Sequence, residues 1–385
     1  MNIDPDRYRE MSKREIIREL IEHVATSEED HEDKEHRSGG STDLNLYLLD
    51  NLGFEIGSLD SHINNITQSE RIRGHAKNFV SKYTFSEEKL GNDTAIVSIT
   101  VPKKSRTDES VWITHDEYIW VLTTVRQKWR KKTIENLIKY LPQVERLYLS
   151  SDYLDTVTGD DVIQDSYISG FTAKYHAPYA ERQATLRFHG GREEDLEKAE
   201  EVFNAKPTRI EFDQTNSPTA AIQGASTNDG RLSLQSVVRG SQDKAVETLL
   251  SVSEEYQHLD RASFEVEYAP THRSTEHGFS VDGFTAIELT DPDRDAEADE
   301  SLLTELKENV LNSNQYRFGE RERDTLRVYD THHDEIIDLA VEDPDIIVYP
   351  RETATAMSLR DIVQKIFEYD STYSLEKVEN PVASP

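Results

Sequence analysis

Apolar residues in this chain come in short runs of two periods, and no run reaches the roughly eighteen residues that would span a bilayer. Residues 12–25, 241–258 and 358–369 repeat apolar positions every three to four residues, as amphipathic helices do. Residues 93–101, 184–189, 208–213, 219–225 and 232–238 are short and read as strands. Runs of strands joined by short turns and flanked by helices predict antiparallel sheets with helices on one face, an α+β fold. Only 35% of the 385 residues are hydrophobic, but their grouping into periodic segments argues against global disorder.

Local signals sharpen the outline. Ser12 precedes a helical pattern and is followed three residues later by Glu15, the arrangement of a capping box. Residues 27–42 are too polar to pack and read as an acidic linker. Residues 43–52, 59–66 and 70–82 read as three short helices, and 93–101 and 111–125 as strands joined by a turn holding Lys103, Lys104 and Arg106. Helix, helix, basic helix, basic-tipped hairpin is the order of a winged helix. A helix is expected over 128–141, ended by Pro142. Asn228-Asp229-Gly230 is a hairpin turn between strands.

Further on, 184–258 and 283–369 both read strand, helix, three strands, helix, with helix 192–205 turning Leu196, Ala199, Val202 and Phe203 inward. The expected organisation is a helical N-terminal region (1–90), a mixed α/β segment with a basic face (91–180), and two similar antiparallel-sheet-plus-helix units (181–270 and 278–375).

Charge narrows the function classes. There are 75 acidic and 44 basic residues, a net of −31, and no cysteine. The missing thiols remove disulfides and thiolate metal sites. Strong acidity without cysteine fits a halophile's proteins, where salt screens the repulsion between carboxylates. The N-terminus lacks the basic and apolar regions of a secretory signal, so a cytoplasmic protein with no membrane partner is expected.

Against that background residues 71–139 stand out. They carry fourteen Lys/Arg and eight Asp/Glu, a net of +6, while the remainder nets −37. Five of the seven residues in Arg126-Gln127-Lys128-Trp129-Arg130-Lys131-Lys132 are cationic. All three tryptophans, Trp112, Trp120 and Trp129, lie in or just before this run. Phosphates need positive charge and bases need a flat partner, so a nucleic acid, DNA before RNA, is the expected partner. Candidate contacts are Arg71, Arg73, Lys77, Lys103, Lys104, Arg106, Arg126, Lys128, Trp129, Arg130, Lys131 and Lys132, with Trp129 as the stacking residue. Trp112 and Trp120, eight apart on strands, are expected to share a buried face.

Two alternatives compete. In one, the protein is not an enzyme, and the cations dock an acidic partner or the chain's own acids. In the other, Asp152, Asp155, Asp160, Asp161 and Asp165 hold magnesium for a nuclease. In so acidic a chain such a run carries little weight. The Glu-x-Lys triplets at 32–34, 87–89 and 305–307 fall in expected loops or helices, whereas a nuclease site places them on a strand. His332-His333-Asp334-Glu335 reads as a turn, and His31 and His36 are five apart, not four as in a zinc-binding helix. No cofactor is called for.

Overall fold

The structure is a computed structural model that describes residues 5–26, 43–68, 74–102, 106–177, 182–190, 193–215, 220–264, 268–269, 283–284, 286–290, 301–312, 315–322, 325–342, 345–351, 354–370 and 373–377. In chain order the elements begin with α1 (Pro5–Tyr8), α2 (Lys13–Glu22), β1 (Ala25–Thr26), β2 (Leu44–Asn51), α3 (Leu59–Gln68), α4 (Gly74–Lys82) and β3 (Thr84–Lys89). Next come β4 (Thr94–Val101), β5 (Arg106–His115), β6 (Tyr118–Thr123), α5 (Gln127–Arg130), α6 (Ile134–Tyr140), β7 (Val144–Arg146), β8 (Ser166–Ala177), β9 (Arg182–His189) and α7 (Glu193–Phe203). They continue through β10 (Lys206–Thr215), β11 (Ala220–Thr227), β12 (Arg231–Val238), α8 (Gln242–Phe264), β13 (Tyr268–Ala269), β14 (Gly283–Phe284), β15 (Ile287–Thr290) and α9 (Ser301–Glu305). The last are β16 (Tyr316–Glu322), β17 (Thr325–Asp330), β18 (Glu335–Glu342), β19 (Asp345–Pro350), α10 (Ala356–Tyr369) and β20 (Ser374–Lys377). The fold is α+β with antiparallel sheets, and no helix among the described residues is long and apolar enough to cross a membrane.

Two compact units divide the chain. The first takes 1–147, 156–169 and 209–257, and the second takes the remainder. In the first, strands run in the order β3-β4-β5-β6-β2-β12-β11-β10, each antiparallel to the next. One face of β2 to β6 buries Tyr47, Leu49, Val97, Trp112 and Val121 against Leu59 and Ile66 of α3, Phe79 and Val80 of α4, and Ile134 and Leu137 of α6. Leu44, Leu46 and Leu48 alternate with these on β2 and are buried too. The capping box on α2 forms as expected: the Ser12 hydroxyl accepts from Glu15 N, and the Glu15 carboxylate accepts from Ser12 N. Helices α2 and α8 are joined by the pairs Arg14–Glu247 and Arg18–Asp243.

The Asn228–Gly230 turn forms between β11 and β12, with Gly230 at φ +70. A Cβ there would meet the Leu147 carbonyl oxygen at 2.8 Å. The Tyr256 hydroxyl of α8 accepts from Gly230 N at 2.8 Å and donates to the Asn228 carbonyl at 2.7 Å.

In the second unit the strand order is β16-β17-β18-β19-β15-β20, all antiparallel. Leu359, Ile362, Val363, Ile366 and Phe367 of α10 fill its core with Leu326, Val328, Ile337 and Leu339. A fully buried ion pair, Arg360 Nη2 to Asp260 Oδ2 at 2.6 Å, is completed by the Tyr148 N–H on Asp260 Oδ1. Partnered in this way, the two charges remain tolerable in the interior.

Several expectations are corrected. Residues 43–52 contain the strand β2, not a helix, so strand, helix, helix, strand precede the β4–β5 hairpin and the winged-helix order lacks its first helix. The helix expected over 128–141 is two short helices broken at 131–133. Trp112 sits opposite Val121 and Trp120 opposite Ile113, which places the two indoles on opposite faces. The turn at 116–117, with Asp116 at φ +53, splits the expected strand 111–125 and resets the alternation. Val202 and Phe203 are 68% and 48% exposed, and among the described side chains α7 buries only Leu196 and Ala199.

The segments 184–258 and 283–369 share neither element order nor strand neighbours: three strands, β10 to β12, lie between α7 and α8, and four, β16 to β19, between α9 and α10. Strand β9 pairs with β8, whereas β15 lies between β19 and β20. The pairing therefore lends no support to duplication.

Candidate nucleic-acid interface

Strand register brings the basic stretches to one end of the first unit's sheet. Val111 pairs with Leu122 near the end of β6, and the Arg106 guanidinium at the start of β5 lies 3.7 Å from the ring of Trp129 on α5. Thr107 pairs with Thr100, which pairs with Thr84, two residues beyond the end of α4. Val101 at the end of β4, Arg106 at the start of β5, the C-terminus of α4 and the segment 126–132 therefore share this end.

Arg106 is held rigidly. Its Nε and Nη2 donate to Asp108 Oδ1 and Oδ2 at 2.9 and 2.8 Å, a bidentate pair. The guanidinium carbon lies 3.7 Å from the centroid of the Trp129 ring, a cation–π stack. Asp108 is buried and also lies 2.9 Å from the Thr133 hydroxyl, which is 3.0 Å from the Trp129 carbonyl. Thr133 thus ties the break between α5 and α6 to strand β5. This explains why the helix expected over 128–141 is interrupted there.

Arg130 points inward. Its side chain is almost wholly buried, with Nε 3.2 Å from Glu135 Oε1. The Tyr47 hydroxyl donates to the same oxygen at 2.7 Å. Arg146 Nη2 lies 3.8 Å from the other Glu135 oxygen, and its Nη1 reaches Asp229 at 2.7 Å. Both guanidiniums lie over the Tyr47 ring, at 5.9 and 4.9 Å. Burial pushes the Tyr47 phenol up. For Asp229 burial works in the same upward direction, but Arg146, Arg231 and the Thr227 hydroxyl outweigh it and hold the carboxyl below its ordinary range. Arg130 is therefore part of the scaffold, and its charge is answered inside the unit.

Arg126, Lys128, Lys131 and Lys132 are exposed, and among the described residues none has a carboxylate within ion-pair distance. Lys77 is half-buried on α4, whose Ala76, Phe79 and Val80 face the core. Arg71, Arg73, Lys103 and Lys104 lie outside the described residues. Gly74, expected inside a recognition helix, is the first residue of α4, where its helix-breaking tendency matters little.

No protein-family model matches this chain, and no curated protein is significantly similar to it.

The competing sites fare differently. Glu87 lies on a strand, β3, contrary to expectation, but its carboxylate accepts from the Gly57 and Leu59 N–H groups at the start of α3. Asp160 and Asp165 belong to a turn in which the Asp160 carboxylate accepts from Asp165 N at 2.7 Å. His332 and His333 sit in the β17–β18 turn, with His333 Nδ1 2.6 Å from Asp330 Oδ2. His31 and His36 lie outside the described residues. Among the described residues no group of three or more His, Asp or Glu side chains is placed to hold a metal ion.

Residues that organise the site but escaped the sequence reading are Asp108, Thr133, Tyr47, Glu135 and Arg146. Tyr47 could have been found only by reading 44–51 as a strand. Asp108, two residues from Arg106 and so on the same strand face, carried a usable signal.

Proposed function

We propose that the protein binds nucleic acid, DNA before RNA, through the phosphate backbone at the α5 end of the first unit's sheet. One observation carries this reading: four exposed cations, Arg126, Lys128, Lys131 and Lys132, are grouped without carboxylate partners among the described residues on a chain of net charge −31. A cation cluster kept clear of abundant acids is arranged for an external anion. Base reading by a winged helix is not part of this proposal, because β2 occupies the place of its first helix. We further take the protein to work in a salty cytoplasm, where counterion release weakens and contacts must be numerous.

The test is fluorescence anisotropy on a short DNA duplex over a KCl titration, comparing wild type with a Lys128/Lys131/Lys132→Gln variant. The variant should bind more weakly and lose about one unit of salt slope per phosphate contact removed. Equal binding at every salt concentration would exclude this surface.

A second reading has its own support. Arg106–Asp108 and Arg130–Glu135 show that part of the basic region is answered by the chain's own acids. On that reading the remaining cations dock an acidic protein. Failure of the wild type to bind any nucleic acid would favour it.

A further inference from the structure

The Trp129 indole is surrounded by cations. Besides the Arg106 guanidinium at 3.7 Å, Lys128 Nζ lies 5.2 Å and Lys132 Nζ 5.9 Å from the ring centroid. All three are within cation–π range. Among the described residues only Arg106 of the three has a carboxylate within ion-pair distance, and Asp108 occupies just two of its three nitrogens. The third, Nη1, is buried and meets no hydrogen-bond acceptor among the described residues. The cluster's positive field is therefore only partly answered. Stacking a base on the Arg106 face of the ring would require breaking a bidentate pair whose carboxylate is itself buried and fixed near Thr133.

We infer that Trp129 organises a phosphate site and is not a platform for bases. Lys128 and Lys132 hold one backbone phosphate beside the indole, and the stacked Arg106 adds its charge from a fixed position. This rests on the nucleic-acid reading above and specifies its ligand chemistry: the contact at Trp129 is with phosphate, whatever base is attached.

Two fluorescein-labelled strands of equal length separate the possibilities, one of thymidines and one whose sugars carry no bases. Both are titrated into the full-length protein at about 0.2 M KCl, where charge contacts remain measurable. The phosphate site predicts that the abasic strand binds within about threefold of the thymidine strand, whereas stacking would cost it between about five- and 150-fold. A Lys128/Lys132→Gln variant should weaken both strands alike and lower both salt slopes by about 0.7, the single-strand value for one phosphate contact.

Acrylamide quenching gives an independent readout, because Trp112 and Trp120 are buried and Trp129 is the accessible indole. Both strands should shield it equally. Loss of affinity of about fivefold or more for the abasic strand alone would overturn the phosphate site and leave the nucleic-acid reading standing. No binding of either strand would overturn the nucleic-acid reading itself.

Discussion

Arg130 and Lys131 are neighbours in one basic run, yet one side chain is buried and the other exposed. Arg130 is fixed by Glu135 under the shared field of Tyr47 and Arg146. Removing one partner of a buried pair strands the other, so Arg130→Ala should destabilise the protein by about 3 kcal/mol. Lys131→Ala should stay within about 0.5 kcal/mol, as exposed substitutions do. Urea titration of the two variants checks this contrast, and equal losses would refute the assignment of Arg130 to the scaffold.

His62 behaves differently. It stacks on Phe54 at 5.4 Å, and neither ring nitrogen has a hydrogen-bond partner among the described residues. Burial lowers its pKa, against a smaller opposing pull from Glu87 and Glu55. The folded state therefore keeps the imidazole neutral where the unfolded chain has begun to take up a proton. Stability from this group is full above the unfolded value and is lost as pH falls through it, from about 7 towards 5. His62→Phe should flatten the decline of melting temperature over that window. A decline parallel to wild type would count against this placement.

At the scale of elements the hairpins are the most exacting parts. Gly230→Ala would force a Cβ against the Leu147 carbonyl at positive φ, and should cost about 1–3 kcal/mol, measurable by thermal melting. A variant as stable as wild type would mean the turn can relax. That turn was legible in the sequence because Asn-Asp-Gly suits positive φ, and the α2 cap was legible because Ser and Glu stand three apart.

Strand β2 was not legible. Leu44-Asn45-Leu46-Tyr47-Leu48-Leu49 has no β-branched residue, and leucine favours helices, so only burial in the sheet decides its state. The helix break at Thr133 was hidden for a similar reason: its partner Asp108 is twenty-five residues away. The site was legible as a charge anomaly. Which cations reach solvent depended on the partners the fold gives them: Arg106 is taken by Asp108 and Arg130 by Glu135, while Arg126, Lys128, Lys131 and Lys132 are exposed.

At the scale of the whole molecule, −31 of charge must be screened. Lowering KCl from molar to about 0.1 M lengthens the screening distance to about 10 Å, and self-repulsion should then lower the melting temperature. Circular dichroism across that range checks it, and an unchanged melting temperature would contradict the halophilic reading. Binding pulls the other way, since contacts to phosphate weaken as salt rises. Stability and binding should therefore overlap only in an intermediate window.

The most direct measurement is amide hydrogen exchange on the full chain, with and without saturating DNA duplex, inside that window. Protection gathered at residues 126–133 and at the β4–β5 hairpin is the expected result, with 325–351 unchanged. Protection absent from 126–133 but present elsewhere would contradict the proposal that this cation cluster is where the protein meets nucleic acid.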